Sequence, residues 1–196
     1  MPFLKKLKGG SNNSTAVPAS GPPADALNES APPTPDKRLP FANYRELYTM
    51  KNFWKTIKRN EKKCSCNLLV SFLLKNPTYQ AMYPKIAKVD LDDAADNKAF
   101  EKTAAAYLQV FDDVVSSIEG NPSDCSDACD RLNEAGKLHK GKMGTLNGQE
   151  VFQNMEEPFL KMVSEVLEDR YTDKAETLFQ KFIQFCLKYV LEGYNS

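Results

Sequence analysis

Phe100, Ala104, Tyr107, Leu108, Phe111, Val114, Val115 and Ile118 recur at three- and four-residue spacing along one uninterrupted stretch. That is the period of an α-helix with its apolar side chains gathered on one face. A face this long must be buried against other elements, so it commits the chain to layers of packed secondary structure. Gly120-Asn121-Pro122 ends the stripe with residues that do not continue a helix. The same period recurs on both sides of it. An earlier helix carries Leu47, Met50, Phe53, Trp54 and Ile57, and a second carries Leu68, Leu69, Phe72 and Leu73 before Asn76-Pro77. Tyr79, Met82, Tyr83 and Ile86 follow in a compact segment. A short helix is predicted from about Asp127 to Lys140. The next long stripe runs from Val151 to Leu167 and the last from Leu178 to Tyr189, with Gly193 read as its C-terminal stop. No stretch alternates as a strand does. The predicted fold class is all-α, with seven or eight helices.

Residues 1–43 are of another kind. Ser11 to Pro40 is dominated by Pro, Ser, Ala, Asn and Gly, which bury too little surface to offset the entropy of ordering. The expected organisation is a disordered tail over 1–43 and one helical domain over 44–196. Lys plus Arg equals Asp plus Glu at 26 each, which removes the electrostatic argument for a nucleic-acid partner. No apolar run approaches the ~20 residues that span a bilayer, and the first residues lack the apolar core of a signal peptide. A cytoplasmic protein is the expectation. Five cysteines, an odd number at 64, 66, 125, 129 and 186, argue for free thiols over a disulfide framework. Cys125 and Cys129 leave a local redox couple as the alternative. The acidic run Ser123–Asp130 lacks the spacing of an EF-hand and reads as an exposed loop or helix start.

His139 is the only histidine in the chain. Imidazole is the side chain that readily offers a neutral nitrogen donor at ordinary pH. A metal or cofactor iron held through imidazole within this chain would have to use this residue. A solvated loop histidine satisfies the same bare observation.

The order of these features resembles a globin, most closely the divergent globins of nematodes, over roughly Asn43 to Tyr194. Trp54 stands where the first helix of the family usually has its tryptophan. Pro77 followed six residues later by Tyr83 is similar to the third helix's proline and the aromatic of the next corner. Phe100 to Phe111 looks like the distal helix, and Leu132, Gly136, Leu138 and His139 look like the proximal helix. The resemblance implies a haem b cofactor with His139 as proximal iron ligand, a ligation typical of globins. It also implies a distal pocket of Leu69, Tyr83, Thr103 and Tyr107. Further haem contacts would come from Ile86, Phe100, Lys102, Met143, Phe152 and Met155, with Lys85 or Lys102 pairing a propionate.

The distal side departs from the family. Thr103 stands where histidine or glutamine is usual, and its hydroxyl either donates to a bound ligand or bonds back to its own helix. Tyr107 is the alternative donor. A second histidine is missing, so bis-histidine ligation within one chain is excluded; Lys102 or a methionine stays open as a sixth ligand. Pro158, inside the penultimate stripe, either kinks that helix or marks a later start. The implied function is reversible binding of O2, CO or NO for storage, transport or sensing, without an enzymatic role. The alternatives are a haem redox protein (electron transfer, nitric oxide dioxygenation or nitrite reduction) and a globin-like interaction module without haem. The residues leave the oligomeric state open.

Overall fold

The computed structural model describes residues 32–143 and 146–196, so the expected tail lies outside the description as far as residue 31. Among the described residues seven α-helices follow one another: α1 (Tyr44–Arg59), α2 (Glu61–Lys75), α3 (Lys98–Gly120), α4 (Ser126–Lys140), α5 (Gly148–Gln153), α6 (Glu156–Leu167) and α7 (Asp173–Asn195). Three 3-10 turns, Pro77–Met82, Ala94–Asp96 and Glu168–Arg170, join them. No strand occurs among the described residues, as the apolar periods predict.

Side-chain caps explain where several helices begin. The Asn43 side chain accepts from Glu46 N, and the Glu46 carboxylate in return accepts from Ala42 N, at 3.1 and 3.0 Å. Asn97 accepts from both Ala99 N and Phe100 N and opens α3. Each such cap contributes on the order of 1 kcal/mol. α4 differs, because its N-cap residue Cys125 offers no side-chain acceptor. The cap comes from the preceding segment instead: Asp36 Oδ2 accepts from Cys125 N at 3.0 Å.

That contact corrects the boundary expected at residue 43. Asp36 N donates to Pro122 O at 2.8 Å, and Leu39 and Phe41 are buried. Two large apolar side chains in a run of small and polar residues are enough to seat residues 36–41 on the helices. Their weight is lost when the run is averaged as a whole.

Trp54, Phe111, Phe159, Phe179 and Phe182 form an aromatic cluster contributed by α1, α3, α6 and α7, with ring centroids 5.0–6.5 Å apart. The Trp54 indole N–H, which burial would otherwise strand, donates to Asp112 Oδ1 at 2.9 Å. α4 lies along α7 in the most extensive helix pairing of the fold.

Two sequence readings are settled here. The stripe from Val151 to Leu167 is broken between α5 and α6, and Pro158 lies in the first turn of α6. A first-turn residue has no carbonyl partner for its N–H, so proline is tolerated there without a kink. Gly193 does not stop the last helix; α7 continues to Asn195. A Cβ on Gly193 would strike the Asn133 backbone of α4, so the glycine serves a close helix crossing.

Candidate functional site

An interior cavity of about 570 Å³ opens between α3, α4, α5 and α7 and the corner that follows α2. Its walls are mostly apolar, including Phe72, Met82, Val110, Phe111, Val151, Leu187 and Val190. From α3 it takes Thr103, Ala106, Tyr107, Val110 and Phe111. These are spaced as one helical face, turned aside from the buried stripe of Phe100, Ala104 and Leu108. α3 therefore packs with one face and lines the cavity with the next.

His139 lines the cavity from the last turn of α4. Its Nδ1 lies 2.7 Å from the Ala135 carbonyl oxygen, one turn back. A carbonyl oxygen only accepts, so Nδ1 carries the proton and donates. The other nitrogen, Nε2, is left with a free lone pair. A hydrogen bond at one ring nitrogen thus fixes the other as a ligand atom. Phe152 meets the imidazole edge-on, with ring centroids 5.5 Å apart and planes at 78°.

Tyr83 and Tyr107 also line the cavity, and their hydroxyls are hydrogen-bonded to each other. The rings are tilted at 60° with centroids 6.1 Å apart. Burial raises the pKa of both phenols above the ordinary tyrosine value, and that of Tyr107 further because Tyr83 stands beside it. Both stay neutral donors across the physiological range. Two mutually bonded hydroxyls use one O–H between them, so one proton remains to be donated. Thr103 resolves the other way: its Oγ1 donates to Ala99 O at 2.8 Å, back along its own helix. The corner bearing Tyr83 is held by Gln80, whose side-chain amide donates to Ile86 O and Val89 O at 2.9 and 2.8 Å.

Of the residues singled out in the sequence, His139, Thr103, Tyr107, Tyr83, Met143, Phe152, Met155 and Lys85 come together around the cavity. Leu69, Ile86 and Phe100 do not line it; all three are fully buried in helix packing. Lys102 is exposed on the outer side of α3 and is absent from the walls. Of the two lysines offered for a propionate, Lys85 is therefore the one at the cavity, joined by Lys142. Sequence reasoning missed Phe72, Lys142, Cys186, Leu187 and Val190 as wall residues, and Gln80 as the brace of the corner. Cys186, Leu187 and Val190 are ordinary α7 core positions, and only the packing shows that they border a space.

The five cysteines are free and buried. Cys125 and Cys129 lie beneath the surface, although their acidic neighbours made the run look exposed, and their sulfurs are 3.7 Å apart. Burial, with the neighbouring Cys129, pushes the Cys125 thiol up to about 12. Thiolate chemistry is suppressed there at ordinary pH. No cluster of three or more potential metal ligands exists among the described residues.

An all-helical sandwich around an apolar slot, with a single imidazole on one wall, defines a class of fold and site. The globin family model matches residues 67–189, and the chain belongs to the globin family. Among solved structures it is similar to a hexacoordinated heme protein from an anhydrobiotic tardigrade, at 22% identity and TM-score 0.75 over 82% of this chain and 99% of that one. It is also similar to the hemoglobin of the botfly Gasterophilus intestinalis, at 13% identity and TM-score 0.66 over 79% and 99% of the two chains. The hexa-coordinate hemoglobin of Drosophila melanogaster matches at 15% identity and TM-score 0.67 over 76% and 93%. At such identities these likenesses establish the fold. A search of curated protein sequences finds no significant match.

Proposed function

We propose that this chain holds haem b through His139 and binds O2, CO and NO reversibly at the iron. The observation that carries the reading is the imidazole itself: the only one in the sequence lines the apolar cavity with Nδ1 committed to Ala135 and Nε2 free. The donor set fits the group. A neutral imidazole nitrogen suits iron, the apolar walls suit a porphyrin face, and Lys85 and Lys142 supply cations for its carboxylates. The sequence has no Cys-x-x-Cys-His attachment motif, which favours a non-covalent haem b.

Haem, when bound, supplies an iron with a position for a diatomic ligand. The chain's own residues do the rest. His139 would present Nε2 to the iron, with the Nδ1–Ala135 hydrogen bond tuning its donor strength. Phe72, Val110 and Phe111 help keep the cavity apolar and limit water. The Tyr83–Tyr107 pair holds one hydroxyl proton available to a polar ligand. The related tardigrade and fruit-fly proteins are described as hexacoordinate. In this chain the histidine count forbids a bis-imidazole version, so we expect mainly five-coordinate ferrous iron. With no imidazole on the distal side, the ferrous protein in air should oxidise faster than a distal-histidine globin.

Haem titration of the wild type and of His139→Ala, followed by ultraviolet–visible spectra with and without CO, tests the assignment. Wild type should develop a Soret band and a CO-shifted ferrous spectrum, and the variant should lose the imidazole-ligated form. Identical spectra from the two proteins would sink the His139 assignment. Absence of any Soret band from the wild type would leave a globin-fold interaction module as the better reading.

A further inference from the structure

Helix α4 is not merely near α7; the two backbones touch. A Cβ on Gly136 would lie inside the carbonyl of Val190 and against the amide nitrogen of Tyr194. A Cβ on Gly193 would lie inside the carbonyl of Asn133. The two glycines are thus reciprocal, each admitting the other helix's main chain. Gly136 sits three residues before His139, on the same stretch of α4. The last turn of α7 does a second thing. Tyr194 rests on Gly148, where a Cβ would meet its ring, and presses on Phe152 with centroids 5.6 Å apart at 74°. Phe152 in turn meets the His139 ring edge-on at 5.5 Å.

Resting on the haem-binding reading, we infer that the last turn of α7 is a positioning device for the imidazole. Gly136 and Gly193 set the depth of α4 against α7, and Tyr194 acts through Phe152 to set the rotation of the His139 ring. The Ala135 hydrogen bond restrains one nitrogen but leaves the ring free to swing about the Cβ–Cγ axis within the width of that bond. An edge-on aromatic neighbour removes that freedom, since tilting the imidazole would drive it into the Phe152 ring. Phe152 cannot retreat while Tyr194 is behind it. The chain therefore places a ligand atom through supports of which Tyr194, Gly136 and Gly193 lie outside the cavity wall, the arrangement that gives a site its precision. None of these four residues needs a polar role; their contribution is shape.

The lone histidine makes the test clean, because every imidazole signal in the protein belongs to His139. The full chain is compared with Tyr194→Phe, Tyr194→Leu and Gly136→Ala. In the haem-free protein, carbon–proton and nitrogen NMR of the imidazole should show one ring environment protonated at Nδ1 for wild type and Tyr194→Phe. Tyr194→Leu should shift the ring-proton signals and broaden or split them, while circular dichroism stays helical. In the haem-loaded protein, the iron–histidine stretching band of the ferrous form should move in Tyr194→Leu, with a severalfold change in CO association rate, and be restored in Tyr194→Phe. Gly136→Ala should move the same band if it folds; if it does not, the pair at Tyr194 carries the test alone. Unchanged imidazole signals and an unmoved band in a folded Tyr194→Leu protein would overturn the inference while leaving haem binding by His139 intact. An iron–histidine band absent from the wild type itself would overturn both.

Discussion

The two sides of the cavity are built on opposite plans. On the α4 side one polar group, the His139 imidazole, is held by a carbonyl, an aromatic edge and a helix locked to its neighbour, and one nitrogen is left without a partner. On the α3 side three hydroxyls are present; each has a partner, and one tyrosine proton is left over. Thr103 is bonded to Ala99 O, and Tyr83 and Tyr107 are bonded to each other. Among the described residues no fully buried side-chain polar atom lacks a partner, so the unpartnered Nε2 is accessible, in keeping with its place on the cavity wall. The difference teaches where reactivity is stored. An unpaired donor atom in an apolar slot is expensive unless a ligand arrives to use it, so the α4 side is arranged to bind and the α3 side to modulate.

The largest break in this contrast comes from filling the helix crossing. Gly193→Val forces a branched side chain into the α4 backbone and should cost roughly 3 kcal/mol, read as a lower urea midpoint with an unchanged slope. A change under about 0.5 kcal/mol would mean that α4 and α7 separate easily and that the tight crossing is incidental. Next is Tyr107→Phe, which removes the donor the α3 side retains. A lost hydrogen bond of about 1 kcal/mol should speed O2 dissociation roughly fivefold and leave CO, the less polar ligand, nearly unaffected. Equal effects on both gases would count against a hydrogen-bonding role.

The same tyrosines give a pH expectation. Their pKa values are raised in the fold, so the stabilisation they lend is complete below the ordinary tyrosine pKa of about 10 and is lost as pH rises through the folded values. Tyrosinate absorbance should therefore show Tyr83 and Tyr107 titrating late together with Tyr171 and Tyr189, with unfolding at high pH, and lose one late group in Tyr107→Phe. Asp36 works in the opposite direction. The Arg38 guanidinium, then the Arg38 and Cys125 amides, hold its carboxyl well below the usual carboxylate range. Its contribution is present above pH ~4 and disappears as the solution is acidified. Asp36→Asn should cost about 1 kcal/mol at neutral pH by weakening the cap of α4, and wild type and variant should converge in stability as acid is added. The smallest effect is expected from Thr103→Val. Its hydroxyl is turned to the helix, so O2 dissociation should change by less than about twofold, within the few tenths of a kcal/mol typical of neutral substitutions. A larger acceleration would show that Thr103 releases Ala99 to serve the ligand.

Much of this architecture is readable without coordinates. Period and breakers locate α1, α2, α3 and α7 because amphipathic spacing is a local property of consecutive residues. His139 is legible because it has no competitor. Lys102, Phe100 and Leu69 lie off the cavity wall for one common reason. The sequence shows that a residue is apolar or helical, but an angular offset of one helical step decides whether it faces a cavity, a neighbouring helix or solvent. Phe100 and Thr103 lie on adjacent faces of α3, and only the packing of α2 shows which face is closed.

By itself, the sequence determined that this protein is helical, that one imidazole is available, and that a second cannot join it from the same chain. These follow from residue identity and short-range periodicity. The tertiary structure alone decided that Nε2 is the free nitrogen, that Thr103 is spent on its own helix, and that two tyrosines share a hydrogen bond across 24 residues of chain. It also decided that Gly193 is a contact and not a stop. The tyrosine pair and the Gly193 contact join residues far apart in the chain, which no local window encodes; the His139 and Thr103 bonds reach back one turn of their own helices, and what the sequence leaves open there is the rotamer, which is set by the surrounding packing.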